Sequence, residues 1–112
     1  MARLIWTEPA LADLDEIAEY IALDSPLAAS RFVEKVFDKT DRLEAHPRSG
    51  RRPPELTRTD YREIVVAPCR IFYRVEKDDV YILYVMRSER LLRPHILELR
   101  EEQDQSDEKA RE

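Results

Sequence analysis

Residues 61–87 read YREIVVAPCRIFYRVEKDDVYILYVMR, and their apolar positions recur with a period of two. Cys69, Ile71, Tyr73 and Val75 oppose Arg70, Phe72, Arg74 and Glu76, the pattern of a strand with two chemically different faces. Tyr61 to Ala67 forms a preceding strand that Pro68 interrupts, and Lys77-Asp78-Asp79 turns the chain into a third, Val80 to Arg87. Three consecutive strands with short turns predict an antiparallel meander, one apolar face of which must be covered.

The cover lies upstream. A short strand, Arg3 to Trp6, precedes a helix-start signal in Thr7-Glu8-Pro9, because proline is tolerated in the first helical turn. Leu11, Leu14, Ile17, Ala18 and Ile21 then repeat at helical spacing among Asp13, Asp15, Glu16 and Glu19, which predicts an amphipathic helix over 8–23. Ser25 is a candidate N-cap and Pro26 the first residue of a second helix. Ala29, Phe32, Val33, Val36, Phe37, Thr40 and Leu43 line one face of that helix, and the chain leaves it near His46-Pro47. So short a connection makes a helical hairpin, the one cover the sequence offers the sheet. Ile17, Phe32, Val36, Ile64, Ile71 or Tyr73, Leu83 and Val85 are expected to supply most of the core. The order is β-α-α-β-β-β, an α+β fold with a helical hairpin on a small curved antiparallel sheet.

Beyond the meander, Ser88 to Arg100 holds the makings of a short helix, while EEQDQSDEKARE is polar, acidic and free of aromatics. A single domain over residues 1–100 is expected, followed by a disordered acidic tail over 101–112. No apolar run approaches the roughly 18 residues of a membrane span, so no membrane association and a cytoplasmic location are expected. One cysteine and two histidines among 112 residues make poor metal-ligand arithmetic, and neither a metal nor another cofactor is expected.

Charge is uneven. Residues 7–47 carry four basic and ten acidic side chains, whereas 48–93 carry eleven basic and seven acidic, ten of the eleven being arginine. The stretch RSGRRPPELTRT, residues 48–59, has no periodicity, two adjacent prolines and the one glycine, and reads as a basic loop.

Taken together, WTEPALADLDEIAEYI near the start, HPRSGR in the loop, YREIVV, CRIFYRV and VYILYVMRSER resemble the RelE/ParE superfamily of bacterial type II toxin–antitoxin toxins, in its ParE-like branch. The resemblance implies a small toxin neutralised by a cognate ParD-like antitoxin, and one of two activities: inhibition of DNA gyrase, or metal-free cleavage of messenger RNA on the ribosome. Metal-free cleavage needs a general base, a general acid and cations at the developing phosphate charge. Where RelE-type members would carry second-strand lysines, this chain has Arg62 and Ile64. Arg70 matches the third-strand arginine, Ser88 stands near the fourth-strand site, Met86 replaces a histidine, and Pro94 or His95 lies near the expected terminal acid. Arg62, Arg70 and His95 are therefore the remaining catalytic candidates, and the incomplete set favours gyrase inhibition. A ribosome-dependent ribonuclease and a non-toxic interaction module are the alternatives.

Arg70, Arg74, Arg87 and Arg90 are the candidates for binding the target or antitoxin, since Arg70 and Arg74 share one strand face and Arg87 ends the neighbouring strand. His46 is expected to serve a helix end. Cys69 is expected to be a buried small hydrophobe, with no His–Asp pair recognisable around it.

Overall fold

The computed structural model describes residues 1–56 and 58–111, with side chains as far as 105. It contains strand β1 (Arg3–Trp6), helices α1 (Glu8–Asp24) and α2 (Pro26–Asp41), a 3₁₀ turn (Arg42–Glu44), strands β2 (Tyr61–Val66), β3 (Cys69–Glu76) and β4 (Asp79–Arg87), and helix α3 (His95–Arg111). No helix among the described residues is long and apolar enough to cross a membrane.

Local chemistry sets both starts of the helical hairpin. The Thr7 hydroxyl accepts from the Ala10 amide at 3.4 Å and donates to the Ile82 carbonyl at 2.7 Å, which fastens the α1 cap to β4. Ser25 caps α2 through the Ala28 amide at 3.1 Å, with Pro26 in the first turn where its missing N–H costs nothing.

The sheet order is β1-β4-β3-β2. The expected meander is present and antiparallel, but β1 joins it in parallel with β4, so the sheet is mixed. The helical hairpin carries the chain to the far edge of the sheet, where β2 starts in the same direction as β1, and two antiparallel reversals then bring β4 back beside β1 and parallel to it. Ala10, Leu14, Phe32, Val36, Ile71, Tyr73, Ile82 and Val85 are buried between hairpin and sheet, with Ile17 and Ile64 packed at the margin. Leu83, expected in this layer, is buried elsewhere. A register shift pairs Phe72 with Tyr84 but Tyr73 with Ile82, so Ile82 takes the place beside Tyr73.

The opposite face is covered too, contrary to the expectation of one covered face. Phe72 and Met86 pack with Leu92 and with Leu97 of α3, the latter wholly buried. Helix α3 runs across residue 100, and its Arg100 and Glu101 both pair with the body of the fold. The rest of the expected acidic tail, from 106 onward, lies outside the residues with described side chains.

Candidate functional site

Strand geometry divides the four candidate binding arginines. Arg70 stands opposite Met86 in the β3–β4 ladder, so it shares the α3 side of the sheet with Phe72 and Met86. Arg87 is one residue further along β4 and therefore turns to the other side, where its guanidinium lies 5.5 Å from the Tyr20 ring of α1.

Arg70 is nearly enclosed. Its Nε donates to Glu63 at 2.5 Å, Nη1 donates to Glu55 at 2.7 Å, and Nη2 reaches Glu55 at 2.7 Å and Glu63 at 3.1 Å. Its guanidinium also lies 5.0 Å from the Phe72 centroid. The hydrogen bonds from Arg70 hold the Glu55 carboxyl down at about 2 against the opposing effect of burial, and the same bonds raise the Arg70 pKa. Glu63, with no side-chain exposure, is met from the loop by Arg51 at 2.9 Å. A cation so held by two carboxylates fixes the loop against the sheet and has no fork left for a phosphate.

Neither Glu55 nor Glu63 was singled out in the sequence, although one signal was present. Alternation places Glu63 on the side of β2 that faces Arg70, two positions along the ladder from its direct partner Phe72. Arg62 donates to the Gly50 carbonyl at 2.9 Å and so braces the same loop. His95 opens α3 and is exposed. Arg74 pairs with Glu101 of α3 at 2.5 Å, and Glu101 also accepts from the Tyr61 hydroxyl at 2.7 Å. Burial and the Glu101 carboxylate together raise the Tyr61 pKa, which keeps the phenol protonated as a donor. His46 is exposed beside the 3₁₀ turn. Cys69 is buried, and loss of hydration pushes its thiol up to about 11, the opposite of what a nucleophile needs.

What stays open is the surface around Arg87 and Arg90. A groove of about 760 Å³ runs between α1 and the end of β4, with Tyr20, Leu23, Met86, Arg87 and Arg90 in its wall beside the acidic side chains of α1. Arg87 pairs with Glu89 at 2.6 Å but keeps about a third of its side chain exposed, and Arg90 is exposed. Tyr20 is 65% and Leu23 82% exposed, so apolar anchors stand next to cations. That composition suits a protein partner with apolar and acidic side chains. Among the described residues no group of three or more His, Cys, Asp or Glu side chains could hold a metal ion.

Comparison with known proteins gives a consistent picture. Residues 4–92 match the model of a family described as the ParE toxin of the type II toxin–antitoxin system parDE. Toxin RelE2 of Caulobacter vibrioides is 38% identical over 92 residues, covering 81% of this chain and all of that protein. Toxin ParE3 of the same organism is 32% identical over 87 residues, covering 77% of this chain and 86% of its own length. Among solved structures, the chromosomal ParDE toxin–antitoxin system of P. aeruginosa contains a chain that superposes with a TM-score of 0.66 at 29% identity, covering 80% of this chain and 98% of that one.

Proposed function

The chain belongs to the ParE toxin family of type II toxin–antitoxin systems, and on that premise we propose that it inhibits DNA gyrase and is held inactive by a cognate antitoxin. The observation that carries this reading is the state of Arg70. It is the one residue matching the arginine of the ribonucleolytic relatives, and it is saturated by Glu55 and Glu63. Ile64 and Met86 supply no general acid or base, and Arg62, one N–H of which goes to the Gly50 carbonyl, stays protonated and serves as neither. Phosphodiester cleavage without a metal requires an acid, a base and a free cation within reach of one phosphate. The Arg87–Arg90 groove requires none of these, and its exposed Tyr20 and Leu23 offer the apolar contact that a large protein target supplies. The antitoxin reading draws support from the resemblance to a chain of a ParDE system.

The test is a supercoiling assay with purified gyrase. The wild-type chain is expected to block supercoiling or trap cleaved DNA, and R87E/R90E to do so at least tenfold less well while keeping its fold by circular dichroism. Codon-positioned cleavage of messenger RNA on translating ribosomes, with gyrase unaffected, would overturn the assignment. For the partner, the antitoxin encoded beside the toxin should co-purify with the tagged chain, and its failure to do so would count against that half of the reading.

A further inference from the structure

The loop leading into β2 and the start of that strand carry Arg48, Arg51, Arg52, Arg58 and Arg62 against Glu55 and Asp60. The structure sorts these charges by direction. Glu55 is turned inward onto Arg70, while Glu63 beneath takes Arg51 and Arg70, so these two carboxylates and two cations balance one another. Arg62 spends one N–H on a neutral carbonyl and keeps its charge uncompensated. Arg48, Arg52 and Arg58 are exposed and meet no hydrogen-bond or ion-pair partner among the described residues. Three exposed cations, with the half-buried Arg62 beside them, therefore stand against Asp60, and Arg52 and Arg58 line one shallow depression with Thr59 and Asp60.

The frame under these side chains is firm. Arg51 and Glu63 exchange both backbone hydrogen bonds, at 3.0 and 2.7 Å, and the Gly50 amide donates to the buried Tyr73 hydroxyl at 2.8 Å. Firm anchoring lowers the entropic cost of meeting a ligand.

We propose that this loop binds the phosphate backbone of double-helical nucleic acid. Arginine's planar fork matches phosphate oxygens, and several such contacts give binding that ignores sequence. Single strands are a poorer fit, because they are held by stacking on exposed aromatics. The nearest aromatics, Tyr61 and Tyr73, are respectively tied to Glu101 and buried. An acidic peptide is a poorer fit as well, since it needs apolar anchors and no large exposed hydrophobic lies between residues 45 and 62. The overall charge of -5 does not oppose the local one, because acidic side chains on other elements are screened over about 10 Å at 0.1 M salt. This surface is separate from the Arg87–Arg90 groove, so the inference does not rest on gyrase being the target.

The experiment is fluorescence anisotropy of a labelled random-sequence DNA duplex titrated with the purified chain, without gyrase. With three or four phosphates engaged, log K should fall against log salt with a slope of about -3, which is about 60-fold between 50 and 200 mM. R52E/R58E should weaken binding at least tenfold, while R87E/R90E and K35E, the last at an exposed lysine of α2, stay within about threefold of wild type. An RNA duplex of the same sequence that binds through the same residues supports the phosphate reading equally. The proposal is overturned if the duplex fails to bind at low salt, if R52E/R58E matches wild type, if K35E weakens binding as much as R52E/R58E does, or if polyglutamate binds and the duplex does not.

Discussion

Glu63 on β2 has no exposed side-chain surface, and Arg70 on β3 meets its carboxylate at 2.5 Å, diagonally across the ladder. With Glu55 added from the loop, one guanidinium joins two strands and the connection before them. This makes Arg70 an internal fastening, which can be tested apart from any activity.

Replacing Arg70 by Met should destabilise the fold by about 3–5 kcal/mol, because removal of one partner leaves a buried charge behind. Urea denaturation measures it. E63Q/R70M should be the more stable variant of the two, since a buried amide costs less than a buried carboxylate. An R70M chain with an unchanged midpoint and no toxicity would instead make Arg70 a contact residue.

Acid should weaken the same fastening over a defined window. Glu55 titrates at about 2 in the fold against an ordinary value of 4.5, so its ionised form favours the folded state. That contribution is complete above about pH 4.5 and is lost as the pH falls from there toward 2. Stability measured across this range should drop more steeply for the wild type than for E55Q, which has no proton to gain at that position.

Gly50 tolerates no side chain. A Cβ there would lie 2.5 Å from the Tyr73 hydroxyl and 2.7 Å from the Glu63 carbonyl. Gly50→Ala should cost about 1–3 kcal/mol through overpacking. Adding Tyr73→Phe should fail to restore stability, because the backbone carbonyl would still be in the way. Full rescue in a thermal melt would mean that the loop has room to move.

Arg100 fixes α3 to the body. It donates to Asp13 at 2.8 and 3.0 Å and to the Leu83 carbonyl at 3.1 Å, and each side chain of the ion pair is 16% exposed. Arg100→Ala should cost about 1–3 kcal/mol. Hydrogen exchange should accelerate first in α3, leaving β3 protected; uniform acceleration would show that α3 opens only with the whole domain.

The sequence disclosed what local rules control. The switch from helical to alternating period marked the meander, and Thr7, Ser25 and Pro26 marked both helix starts, because capping acts within a few residues. The second cover was hidden by composition: Leu92 and Leu97 are a few apolar positions in a stretch dominated by charge, and they become core only once Phe72 and Met86 present a face to them. The register shift at Phe72/Tyr73 that exchanged Leu83 for Ile82 had no glycine to announce it. At the candidate site, strict alternation alone separates Arg87 from Arg70, since Met86 holds the position opposite Arg70. The burial of Arg70 was less accessible, because Glu55 reaches it from a loop without periodicity.

The pairing of β1 with β4 has a consequence for how the molecule is made. Arg3 finds its partner Asp79 only 76 residues later in the chain. At about 5–20 residues per second, a nascent first strand waits on the order of 4 to 15 s before its neighbour has been synthesised. The Thr7 cap waits as long for the Ile82 carbonyl. Each copy is therefore born incomplete, and its sheet closes only after the final strand has left the ribosome.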